Sequence, residues 1–265
     1  MLDILFYSCL ALYLASMVIN FAGTALKKPT LFRITWIVFL IGFSAHSIYA
    51  VARGVVAGRL PMSNQFEFSM CLAWGIALLY IILRTKLSAD WLTNIALPAV
   101  FLVLAYSLTL SQDIRELMPA LRSPWFAVHI GTAVISYASF MLAGCAGIKY
   151  LSDLKKGERE DGTHLRQIDH LSYRLIALGM LMLTIVILSG ALWAEDAWSS
   201  FWSWDPKELW SLITLFVYII YLHQRLRKNW QGKRMAVFSI VAVGVVIFTF
   251  VGVNTLLPGL HSYFR

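Results

Sequence analysis

Charge is what this 265-residue chain has least of: Asp, Glu, Lys and Arg make up 14% of it, against 59% hydrophobic residues. A soluble domain carries about 25% charged and about 45–50% apolar residues, so an ordinary water-soluble fold is excluded. Cysteine is scarce too. Cys9, Cys71 and Cys145 each sit inside an apolar run, none forms Cys-x-x-Cys, and Cys-x-x-Cys-His does not occur. Covalent haem attachment to the chain itself and dithiol exchange are thereby excluded, and the three are expected to be small buried apolar residues. No basic residue precedes the first apolar run, Ile4–Ala22; Asp3 stands there instead, and no small-residue cleavage site follows. That run is therefore expected to be a retained span and not a signal peptide. Internal repeats and low-complexity tracts are lacking as well, which leaves one membrane domain over residues 1–265.

What is present is a series of apolar runs. A helix needs about 20 apolar residues to cross a hydrocarbon core about 30 Å thick. Eight stretches meet this, near Ile4–Gly23, Thr35–Ala52, Phe66–Leu83, Trp91–Leu110, Trp125–Leu151, Leu175–Ala194, Leu209–Gln224 and Met235–Asn254. The fold class is thus all-α, a polytopic bundle of about eight transmembrane helices. Of the 22 Lys and Arg residues, sixteen fall at one set of span ends, from Lys27 and Lys28 to Lys233 and Arg234. Only Arg53, Arg59, Arg115, Arg122, Lys207 and Arg265 fall at the other. By the positive-inside rule the rich side is cytoplasmic, and both termini lie on the non-cytoplasmic side. The +8 net charge is then a topology signal and calls for no nucleic acid. The longest inner connection, Ser152–Arg174, is charged and is expected to extend its flanking helices into solvent.

The most informative stretch runs from Trp193 to Trp210, between spans six and seven. It packs five tryptophans, Phe201, four acids and Lys207 into 18 residues. Pro206 suits a first helical position, with Asp205 as N-cap and Glu208 in the first turn. An interfacial aromatic belt would spread its rings over several helix ends; here they crowd one loop, residues 195–209. Such a loop is a platform for a large, flat, partly apolar ligand with polar groups at its rim.

Trp198…Trp202-Ser-Trp204-Asp205-Pro206-Lys207-Glu208 resembles the tryptophan-rich WWD signature of haem-handling proteins. The Asp-Pro-Lys-Glu continuation resembles the CcsA (ResC) branch of cytochrome c biogenesis, the system II pathway. Pro61-Met-Ser-Asn64-Gln-Phe-Glu67, Leu171-Ser-Tyr-Arg174-Leu-Ile-Ala-Leu-Gly179, Trp230-Gln-Gly-Lys-Arg234 and Gly252-Val-Asn254…Gly259-Leu-His261-Ser-Tyr263 are similar to family segments, so the resemblance covers most of the chain. It departs at two places: Ser199 stands where the family usually has glycine, and Glu195-Asp196 where Asn-Glu is common.

Haem iron takes one or two axial ligands, most often imidazole. His129, about one turn into span five, and His261, just beyond span eight, fall on the side of the tryptophan loop. The resemblance matches them to the paired external histidines that flank the WWD loop. His223, near the cytoplasmic end of span seven, is an ionisable ring inside a span, which marks a functional site by default. The resemblance implies an intramembrane haem ligand whose counterpart comes from a CcsB/ResB-type subunit. His46, in the middle of span two, is a further candidate. His164 and His170 lie in the charged inner connection and are expected to be solvated. Arg53, Arg59 and Lys207 are candidates, by charge alone, to meet haem propionates.

The resemblance implies a subunit of the system II cytochrome c synthase, in the inner or plasma membrane, or a thylakoid membrane in a plastid. Its WWD loop would be external. Haem b would be held there against Trp198, Trp202, Trp204, Asp205 and Glu208, with His129 and His261 on iron, and presented to an apocytochrome c. The partners so implied are the CcsB/ResB-type subunit, apocytochrome c, haem and membrane lipid. Three alternatives stay open: a system I haem-delivery protein that serves a chaperone, a quinone-linked subunit with stable b-type haems, and a non-haem transporter.

Overall fold

The computed structural model describes residues 1–87, 89–160 and 162–259. His261 lies outside the described residues. Among the described residues, eight helices are long and apolar enough to cross a membrane, so all eight expected spans are found. They are α1 (Leu2–Leu26), α2 (Pro29–Ala57), α3 (Gln65–Leu87), α4 (Thr93–Tyr106, flanked by 3-10 turns), α5 (Pro124–Lys155), α6 (Thr163–Trp198), α7 (Pro206–Arg227) and α8 (Lys233–Ile247). A π-helical turn, Phe248–Gly252, continues α8 into the short helix Val253–Leu256. No strand occurs among the described residues.

α5 runs on to Lys155 and α6 begins at Thr163, so both continue past the apolar runs and shorten the connection between them. At 1.5 Å per residue the 36 residues of α6 span roughly 54 Å, well beyond the hydrocarbon. The extra turns are held by charge. Asp153 accepts hydrogen bonds from Lys149 and, at 2.9 Å, from His164 Nε2. Asp169 takes the Arg225 guanidinium at 2.9 and 2.6 Å. His164 is bound to Asp153 with its side chain still 37% exposed, and His170 is exposed, as expected.

By internal contact the chain divides into two compact units, Met1–Glu116 and Leu117–Arg265. In the first, α1 packs chiefly on α2, and α3 on α4. In the second, α5 packs along α6 and α8. With no water between helices, small residues let backbones approach and polar side chains tie helices together. In unit 2, a Cβ on Gly179 would strike the ring of Phe140, and one on Gly147 would strike Ser239 and the Ala236 carbonyl. Phe140 in turn stacks on Tyr218 of α7 at 3.6 Å. In unit 1, Asn20 of α1 donates to Asn94 of α4 at 2.6 Å.

Candidate functional site

The segment between α6 and α7 is shorter than its sequence suggests. Glu195–Trp198 forms the last turn of α6, so only residues 199–205 are non-helical. Ser199 ends α6 in the left-handed region, φ 54° and ψ 40°, with its N–H on the Glu195 carbonyl. Glycine is the residue that enters this region without steric cost, which gives a physical reason for the glycine usual in the resembling family.

At the other end Asp205 caps α7. Its Oδ1 accepts the Lys207 N–H at 2.9 Å, and Glu208 Oε2 accepts the Asp205 N–H at 3.1 Å, a reciprocal capping box. Glu208 also accepts from Ser203, N–H at 2.8 Å and hydroxyl at 3.1 Å. One carboxylate thus grips the amides on both sides of Trp204. Trp204 itself sits at φ 59°, a conformation rare for a bulky residue that persists only where its surroundings over-determine it. The result is that Trp204 stands 68% exposed, edge-to-face with Trp202 at 5.8 Å and 89°. Phe201 is exposed beside them.

The second aromatic group centres on the buried Trp193. Trp193 donates its indole N–H to the Ala120 carbonyl at 2.7 Å. Its ring lies 5.2 Å from Phe126, 5.7 Å from His129 and 5.1 Å from Trp198. Ser123 caps α5 and also donates to Asp196 in the last turn of α6 at 2.6 Å. That pairing of helix ends brings His129, in the second turn of α5, onto α6. There His129 Nδ1 is 2.9 Å from the Val186 carbonyl. A carbonyl only accepts, so Nδ1 is the donor in this bond.

The stretch before His261 reaches the same end of unit 2. Lys207 donates to Asn254 Oδ1 at 2.5 Å, and a Cβ on Gly259 would meet the Asp205 carboxylate and, at 3.0 Å, the Pro206 ring. His129, Trp198, Trp202, Trp204, Asp205 and Glu208 therefore share one end of unit 2. His223 does not: it lies 17 residues along α7 from Pro206, roughly 25 Å at helical rise. It is exposed on a face with Phe216, Ile219, Ile220 and Leu226, while Thr214, Tyr218 and Tyr221 occupy the buried face.

His46 belongs to unit 1, is fully buried, and has Nδ1 3.3 Å from the Tyr13 hydroxyl. Arg53 and Arg59 also lie in unit 1 and are committed to Glu67, at 3.0 and 2.8 Å. Arg53 further donates to the Gln112 and Asp113 carbonyls, and Arg59 to those of Leu60 and Arg115. Reading charge alone made these two arginines candidates for an outside carboxylate; in the structure both pair with Glu67. Trp193 and Gly190, which build the seat of His129, were not singled out from sequence. The only sequence signal for Gly190 is a glycine inside an apolar helix.

Fold and site together define an integral membrane protein that gathers aromatic rings and an oriented imidazole at one end of a helical bundle. The sequence model of the cytochrome c assembly protein family matches residues 62–261, which includes the loop and the stretch up to His261. The cytochrome c biogenesis protein CcsA of Prochlorococcus marinus (strain MIT 9312) is 34% identical over 273 residues, 91% of this chain and 87% of that protein. CcsA of Chlamydomonas reinhardtii is 41% identical over 217 residues, 78% of this chain and 62% of that protein. CcsA of Guillardia theta is 34% identical over 259 residues, 85% and 86% of the two. The chain belongs to this cytochrome c assembly family, in its CcsA branch.

Proposed function

We propose that this chain is the haem-handling membrane subunit of a system II cytochrome c synthase, with its tryptophan loop on the non-cytoplasmic side. The observation that carries the reading is the seating of His129: its Nδ1 proton is spent on the Val186 carbonyl, so its Nε2 is the basic nitrogen an iron atom takes. Metal-ligating histidines characteristically spend their other ring nitrogen in this way. Trp202 and Trp204 offer apolar faces for a porphyrin in the same loop. Asp205 and Glu208 act by shaping that loop, since both are engaged with its backbone. His261 would supply the second axial imidazole; the docking of Gly259 on Asp205 and Pro206 supports its approach to the loop.

When bound, haem supplies two vinyl groups to which the CxxCH thiols of an apocytochrome add as thioethers, each S–H crossing a C=C bond. That addition leaves no proton for the chain to remove, so no side chain here is assigned as acid or base. The chain's part is to bind, orient and hold, which replaces a bimolecular encounter by a positioned one. His223 presents its ring on an exposed apolar face of α7. A histidine facing lipid is costly, which supports pairing with a helix of a CcsB/ResB-type subunit and ligation of haem within the membrane. His46 is assigned as a tie between α1 and α2.

The test is the visible absorption spectrum of the detergent-purified chain, with and without its partner subunit, beside His129→Ala, His261→Ala and His46→Leu. A haem spectrum that shifts or vanishes in the first two and persists in the third is expected. Wild type that purifies free of haem even beside its partner overturns the reading in favour of a transporter.

A further inference from the structure

The face of α6 that meets α5 carries a feature no part of the WWD loop explains. Val186, Gly190 and Trp193 follow one another at four and three residues, so they line one stripe of the helix. His129 of α5 lies across that stripe. Its Nδ1 reaches the Val186 carbonyl, and its ring lies so close over residue 190 that a Cβ there would sit 2.8 Å from Nδ1 and 2.9 Å from Cε1. Trp193 borders the imidazole at 5.7 Å with 32° between planes, and touches Trp198 at 5.1 Å on another side. The Ala120 carbonyl pins the indole. The imidazole is thus braced by a carbonyl, a bare helix backbone and an immobilised ring.

We propose that Gly190 and Trp193 are positioning residues for His129: Gly190 gives the imidazole its place against the Val186 carbonyl, and Trp193 couples that place to Trp198. The inference rests on His129 being an iron ligand. It assigns the tautomer and aim of the ligand to α6, 57 residues away in sequence, and not to the loop. Any side chain at 190 must push the ring off the carbonyl, which frees Nδ1 and turns Nε2. Trp193→Phe removes the Ala120 hydrogen bond and lets the bordering ring shift.

The test titrates the full-length, detergent-purified chain with haem b and reads the Soret and α bands, alongside the thermal midpoint of the haem-free chain. His129→Gly with and without added imidazole serves as reference. Gly190→Ala is expected to weaken haem binding about tenfold, the low end of the roughly 10–100-fold cost of losing an outer hydrogen bond at a metal site. Its bands should move towards those of His129→Gly while the thermal midpoint stays near wild type. Trp193→Phe should move them in the same direction by less. If His129→Gly has wild-type bands, the ligand reading itself fails. If His129→Gly is altered and rescued by imidazole but Gly190→Ala matches wild type, the ligand stands and the positioning inference is overturned. Should Gly190→Ala not fold, Trp193→Phe decides: unshifted bands there overturn the inference.

Discussion

In unit 1 the most deeply buried charges pair with one another. Glu67, fully buried, takes Arg53, Arg59 and both the amide and hydroxyl of Ser63; His46 meets Tyr13, and Asn20 meets Asn94. In unit 2 the corresponding expense is displayed. Trp204 is held outward at a positive φ and Ser199 occupies a position that favours glycine, in a segment where Phe201 and Trp204 are exposed. Closed polar clusters in a membrane protein specify how helices meet. Strain held in place by a capping carboxylate specifies how a loop is presented, and strained residues of this kind cluster at functional sites. The contrast separates a unit whose buried charges serve packing from one whose strain serves to present a loop.

Breaking unit 1 should give the largest effect. Glu67→Ala leaves two arginines without their shared carboxylate, and removing one partner of a buried pair costs about 3–5 kcal/mol. Denaturant unfolding in mixed micelles measures it; a loss below about 1 kcal/mol would show that the cluster is solvated and the contrast false. The folded fraction of this variant should still bind haem with wild-type bands.

Glu208→Ala comes next. It removes the acceptor for Ser203 and Asp205, and hydrogen bonds to a charged group contribute about 1.5–3 kcal/mol. The cost should fall on the loop: faster proteolysis within residues 199–205 and weaker haem binding, with a thermal midpoint shifted less than in Glu67→Ala. Equal midpoint losses in the two variants would erase the distinction between the units.

The smallest effect runs in the opposite direction. Ser199→Gly relieves a left-handed conformation that costs an L-residue about 1–2 kcal/mol, partly offset by the extra freedom glycine has when unfolded. A gain of up to about 1 kcal/mol is expected, with haem bands unchanged. Destabilisation would mean that Ser199 makes a contact worth more than its strain.

Much of this was legible in the chain. The α7 start was, because Asp205, Pro206 and Glu208 form a local cap whose partners lie within three residues. The place of His129 near a helix start was too, since Pro124 precedes it by five. Its seat was not: Val186 and Gly190 lie about sixty residues on, and a glycine in an apolar helix reads only as a weak helix former. The loop also looked longer than it is, because Glu195–Trp198 is polar and aromatic yet continues α6 for one more turn.

By itself the sequence determined the eight spans, since burying backbone amides in hydrocarbon demands helices of about 20 apolar residues. It determined the cap of α7 and the crowding of aromatic rings between spans six and seven, because these depend on neighbours in the chain. The tertiary structure alone decided which nitrogen of His129 carries the proton and that Arg53 and Arg59 are spent on Glu67. It also decided that His223 is exposed on α7. Each of those depends on a partner brought close by helix packing, whose distances no local pattern encodes.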